Sequence, residues 1–158
     1  MDNITVKLEG NLVGKFEDTA KRMPAVEKYA LYQGAAFLRD KIKESLTSKL
    51  PKATQRNPKY NDTLEDAVRF TKVDGASLKV HALGTRAPGS GTYRTRFFEE
   101  GTVERFHKKR NGIKLKKKKS VGKITPLRFF SSSVEANKDQ VVTIMEDIFS
   151  KYVQRQLS

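Results

Sequence analysis

No cysteine occurs in this chain, which excludes disulfide staples and thiolate-held metals. No stretch approaches the roughly 18 consecutive apolar residues that a membrane-spanning helix needs, so no membrane partner is expected. The opening MDNITVKLEG has no basic leader followed by an apolar run, which predicts no signal peptide and a chain made and kept in a cytoplasm-like compartment. Histidine is scarce, with two residues, His81 and His107. One further absence is local: between Arg105 and Lys123 there is no carboxylate at all.

That segment, RFHKKRNGIKLKKKKSVGK, holds ten Lys or Arg in nineteen residues. The whole chain carries 32 basic and 18 acidic side chains, a formal net charge of +14. Outside the segment 22 basic residues face 18 acidic ones, so the remainder is only +4. A near-ordinary body therefore bears one strongly cationic insertion. Like charges at this density repel, so the segment should stay extended until a polyanion or a carboxylate-lined partner neutralises it. A solvated loop that keeps the protein soluble is the alternative reading.

The 158 residues fit a single domain with one core, or a small domain plus an arm. Ile4, Val6 and Leu8 alternate with polar residues, as in a half-buried strand. Leu12, Phe16, Ala20 and Met23 recur at helical spacing, and Pro24 suits the first turn of a new helix better than the interior of an old one. From Pro24 to about Leu50 a stripe of Leu31, Ala35, Leu38, Ile42 and Leu46 predicts a long helix ended by Pro51. Residues 51–63 read as a loop. Val68 and Phe70, a turn at Asp74-Gly75, and Leu78, Val80 and Ala82 predict a hairpin. A glycine-rich break from Gly84 to Gly91 precedes Tyr93–Thr102 and the basic segment.

A last helix carries Val134, Val141, Met145, Ile148 and Tyr152. Its start is signalled either by Thr125-Pro126 or by a Ser132/Glu135 capping box. The order β-α-α-β-β-(loop)-α predicts an α+β fold. Its small, mostly antiparallel sheet would be packed by the long central helix and the C-terminal helix. The basic loop insertion would lie at about residues 103–124. Both helical stripes should lie on a sheet face of Ile4, Val6, Val68, Phe70, Leu78 and Val80. The basic segment should be poorly ordered in the free protein, with a β-hairpin tipped by Asn111-Gly112 as the rival.

Chemistry for catalysis is thin, and no enzyme is expected. His81 sits in an alternating strand run and His107 among lysines, both ordinary places for a surface histidine. Adjacent Glu99 and Glu100 point in different directions on a strand or a helix, so they do not form a shared-proton dyad. Gly84, Gly89 and Gly91 form no phosphate-loop motif, and no metal-ligand spacing or cofactor signature is present.

Binding chemistry is richer. Arg105, Lys108, Lys109, Arg110, Lys114, Lys116, Lys117, Lys118, Lys119 and Lys123 are the residues expected to touch nucleic acid or an acidic partner. Arg94 and Arg96 alternate just upstream, and Phe97, Phe98 and Phe106 interleave with the charges. Such aromatics stack on single-stranded bases, although Phe97 and Phe98 read better as core, since a chain this poor in apolar residues needs its large side chains inside. Lysine dominates from 114 to 119, which favours sequence-neutral, salt-sensitive attraction to phosphates over base reading.

Three strings add a resemblance. Asn61-Asp62-Thr63-Leu64-Glu65-Asp66-Ala67-Val68 stands before the hairpin. Phe98-Glu99-Glu100-Gly101-Thr102 precedes the insertion, with Tyr93 upstream. Ile124-Thr125-Pro126-Leu127-Arg128-Phe129-Phe130 opens the last helix. In this order the chain resembles the head–tail joining, or tail-completion, proteins of long-tailed bacteriophages. It departs from their pattern at Glu100, where an aromatic is usual, before Leu64, where a glycine is missing, and in the long basic insertion.

The resemblance implies a structural virion protein of the neck or tail, assembled in the host cytoplasm. It would form a homo-oligomeric ring around the DNA channel, hexameric closure being one option. Its partners would be neighbouring connector or tail-terminator proteins, with non-specific double-stranded DNA in the channel. A stand-alone, sequence-neutral nucleic-acid-binding protein is the alternative, and a nuclease or toxin is a third reading with no catalytic constellation behind it.

Overall fold

A computed structural model describes residues 12–55, 63–74, 77–82, 91–110 and 113–157. The described elements are α1 (Leu12–Lys49), α2 (Lys52–Gln55), a 3-10 turn (Glu65–Ala67), β1 (Arg69–Phe70), β2 (Val80–His81), α3 (Gly91–Glu100), β3 (Arg105–Arg110), β4 (Ile113–Gly122) and α4 (Phe129–Leu157). They form a mixed α+β fold dominated by helix, with two antiparallel two-stranded sheets, β1–β2 and β3–β4.

α1 is one helix of 38 residues with Pro24 inside it, not two helices divided there. A rise of 1.5 Å per residue makes it about 57 Å long. Proline removes the amide that would bond the carbonyl of Ala20. Both residues lie on the exposed side of the helix, where water takes that carbonyl and the loss is tolerable.

α4 runs antiparallel to α1. At one end Lys49 Nζ donates to Ser132 Oγ at 2.9 Å and to the Leu127 carbonyl at 3.0 Å. Midway a Cβ on Gly34 would sit 3.1 Å from Val141 Cγ1 and 3.4 Å from Met145 Cγ, so glycine sets how closely the helices approach. At the far end residues Arg22–Tyr29 lie beside Ile148–Arg155. The expectation that both stripes cover a sheet face is therefore corrected: the two long helices bury their stripes chiefly against each other. Strands of two residues each in β1 and β2 are too short to cover two helices. Ile4 and Val6, the rest of the expected sheet face, lie outside the described residues.

The core sits at the end of α1 near Lys49. Ile42, Leu46, Leu64, Val68, Ala82 and Phe129 are buried there, with Leu38, Phe98, Leu127 and Val134 packed around them. Phe70 of β1 lies against α1, its ring 6.0 Å from that of Tyr32 and under the Arg39 guanidinium at 5.3 Å. The Thr63–Val68 string enters the core through a closed local loop. The Asp66 carboxylate accepts from Thr63 N and Oγ1, each at 2.8 Å, and the Thr63 hydroxyl accepts from Asp66 N at 3.3 Å. This reciprocal cap fixes the turn that drives Leu64 and Ala67 inward. The expected hairpin after it is present, with Arg69 opposite His81, Phe70 opposite Val80, and Asp74 bridged to Ser77.

Residues 91–100, which carried no helical expectation, form α3. Buried Thr95 donates its hydroxyl to the Ala82 carbonyl, and Arg94 donates to the carbonyls of Thr54 at 3.2 Å and Gln55 at 3.1 Å. Tertiary bonds of this kind override the weak helix propensity of a Thr- and aromatic-rich segment. The basic segment is a β-hairpin, β3 and β4, the rival of the two readings left open for it, in place of a poorly ordered loop.

Candidate nucleic-acid interface

The hairpin is rooted in the two strings that flank it. Thr102 N donates to the Ile124 carbonyl and Ile124 N to Thr102 Oγ1, both at 2.9 Å, so the chain leaves and returns at one point. Gly101 has a φ of +77°, and a Cβ there would lie 2.8 Å from the Ile124 carbonyl oxygen and from Pro126 Cδ. Glycine is required on both counts. Leu127 N donates to the Phe98 carbonyl at 2.7 Å.

The Glu99 carboxylate accepts from Phe130 N at 2.8 Å and from Ser131 N at 2.9 Å, capping α4. The helix therefore starts at Phe129, after Arg128 at φ 48°, and neither Thr125-Pro126 nor Ser132/Glu135 supplies the cap. A negative group brought from α3 satisfies two amides that have no partner within the helix and meets the positive end of its dipole.

Arg105, Lys108, Lys109 and Arg110 lie on β3, Lys114 and Lys116–Lys119 on β4, and Lys123 just beyond it. All ten expected contact residues are thus brought into one ribbon and its root. The side chains of Arg105, Lys117 and Lys123 are exposed. The register places Arg105 opposite Gly122, Phe106 opposite Ser120, His107 opposite Lys119, Lys109 opposite Lys114 and Arg110 opposite Ile113, with shifts after Arg105 and between His107 and Lys109. Arg110 and Ile113 bracket a two-residue connection; Asn111-Gly112 itself lies outside the described residues. Lys109 opposite Lys114 sets like charges across the ladder, an arrangement that is destabilising. Glu104 stands at the root, where it accepts from Ser120 Oγ at 2.7 Å.

The upstream cations do not extend this surface. Arg94 is held on the α2 carbonyls, and Arg96 pairs with Glu100 at 2.9 Å on α3. Phe98 packs on the core, while Phe106 on β3 is 45% exposed. Sequence reasoning singled out the ten cations that lie on the ribbon and its root but missed Glu99, whose role depends on a contact across 31 residues of sequence.

His81 departs from the surface position expected of it. It is half-buried, and its Nδ1 is buried with no hydrogen-bond partner. With Thr95, Glu99, Phe129 and Phe130 it lines a cavity of about 240 Å³. Both Glu99 oxygens there are occupied by amides, which leaves the carboxylate poorly placed to act as a base. Among the described residues no three His, Asp or Glu side chains cluster as metal ligands, and no helix is long and apolar enough to cross a membrane.

Comparison of the chain with family models, curated proteins and solved structures returns no match.

Proposed function

We propose that this chain is a structural, non-enzymatic virion protein of a tailed phage. It completes the tail or joins head to tail, as a ring around the DNA channel. The observation that carries the reading is the convergence of two of the three family-like strings at the root of the ribbon. Phe98–Thr102 and Ile124–Phe130 bond to each other and to the start of α4. Their resemblance then reflects a scaffold on which an insertion is mounted. Repeated around a ring, a lysine ribbon concentrates positive potential where a genome passes, without base contacts. Each copy alone supplies several phosphate contacts, for which non-specific affinities of about 10⁻⁴–10⁻⁶ M that fall steeply with salt are typical. Weak, sequence-neutral attraction suits passage of a cargo better than tight binding.

A stand-alone nucleic-acid-binding protein is the second reading, favoured by the same uninterrupted cationic ribbon, since a two-stranded ribbon fits the DNA major groove. Phage carrying Lys116, Lys117, Lys118 and Lys119 changed to Ser separates the two. The proposed function predicts normal heads and tails that fail at joining, DNA retention or ejection. Unchanged yield and infectivity reduce the ribbon to a solubility device, and tight binding of DNA of any sequence by the monomer favours the second reading.

A further inference from the structure

The far end of the α1–α4 pair carries a groove of about 520 Å³ with an apolar floor that includes Val26 and Ile148. Its charged lining residues are Arg22, Lys151 and Arg155, all cations. None is in an ion pair among the described residues, whereas Lys21, Arg39, Lys41, Arg96 and Lys138 each have a carboxylate partner. Asp18, the carboxylate one turn before Arg22, is within 3.7 Å of Lys21. Tyr29 stands at the lip, 55% exposed, and the hydroxyl of Tyr152 is buried without a partner. An anionic, partly apolar occupant fits this chemistry.

The same chain presents such a surface elsewhere. Glu135, Asp139, Val142 and Glu146 recur at i, i+4, i+7 and i+11 along α4, on the face opposite the one that lines the groove. All four are exposed, Val142 at 52%. Glu135 is paired with Lys138 at 2.6 Å, while Asp139 and Glu146 have no ion-pair partner among the described residues. Seven residues of helix set Asp139 and Glu146 about 10 Å apart. Packed helices typically lie about 8–10 Å apart, a similar distance.

We propose that the acidic face of α4 in one copy docks into the cationic groove of the next. Val142 meets the apolar floor, and Asp139 and Glu146 meet Arg22, Lys151 and Arg155. The two patches differ and lie on opposite faces of α4, so each copy offers both. The contact is head-to-tail, the kind that closes into rings. This deepens the proposed ring assembly and rests on it.

Sedimentation of the full chain at low salt over a range of concentrations tests the contact. Arg22→Glu with Arg155→Glu reverses the groove, and Asp139→Lys with Glu146→Lys reverses the face. Wild type should show species of at least twice the monomer mass, and each reversed variant alone should remain a monomer. Mixing the two variants should recover assembly, because each supplies the other's complement, and so should the chain carrying all four changes. Should the groove variant lose its helical circular dichroism, Lys151→Glu replaces it and must give the same pattern. Assembly that ignores the reversals, or a mixture that stays monomeric, overturns the contact. Wild type that stays monomeric at every concentration overturns it too. These outcomes bear on the contact alone, because ring function in the particle is judged separately by the lysine variant in phage.

Discussion

Glu99 and Phe130 are 31 positions apart, yet the carboxylate of one accepts the backbone amide of the other at 2.8 Å, and the Ser131 amide at 2.9 Å. One side chain at the end of α3 thereby positions the start of α4 and with it the return leg of the basic ribbon. The root of the ribbon is rigidly built even though the ribbon itself carries repulsive charge.

Removing that cap should be costly for a half-exposed residue. Glu99→Ala is expected to destabilise the protein by about 1 kcal/mol, the usual effect of losing a helix N-cap. Glu99→Gln, which keeps an acceptor but loses the charge, should cost less. Urea titration followed by helical circular dichroism measures both, and equal stability of all three proteins would contradict the capping role.

Gly101→Ala should destabilise by roughly 1–3 kcal/mol, since it combines a positive φ with a Cβ 2.8 Å from the Ile124 carbonyl oxygen. Gly122 also has a positive φ, +78°, but nothing lies within 4 Å of a Cβ there. Gly122→Ala should therefore cost less than Gly101→Ala. Thermal melting of the two variants checks the order.

Packing makes a similar distinction between two isoleucines. Ile42 is fully buried in the core, and Ile42→Ala should cost about 2–5 kcal/mol. Ile148 is half-buried at the groove, so Ile148→Ala should cost clearly less. Equal costs would mean that the groove is closed in solution.

Stability should also depend on Asp66 in acid. Hydrogen bonds from the Thr63 amide and then its hydroxyl hold the Asp66 carboxyl below its ordinary range, against a small burial cost and with help from Lys43 and Arg69. The unfolded chain then takes up this proton at a higher pH than the folded one. The contribution is present above the unfolded pKa of about 4 and is lost as pH falls through the lower folded value. Asp66→Asn should flatten the loss of stability below about pH 4 relative to wild type, as read by denaturant midpoints across pH.

Much of this architecture was legible from spacing alone. The stripe from Leu31 to Leu46, the C-terminal stripe and the hairpin around Asp74 all follow from periodicity and turn chemistry. The cationic residues of the candidate interface were legible from composition. What escaped depends on contacts between distant segments. α3 is helical because Thr95 and Arg94 bond to Ala82 and α2, and α4 begins where Glu99 reaches it. Pro24 misled because its cost depends on whether the freed carbonyl meets water, which sequence does not state. The packing partner of each stripe was likewise hidden, since an apolar face does not specify whether a sheet or a helix will cover it.

The central claim is that this protein joins or completes the particle, and complementation in vitro tests it most directly. Phage lacking the gene should accumulate heads and tails, and infectious particles should appear when purified protein is added to that lysate. Full infectivity of the deletion without added protein would contradict the account.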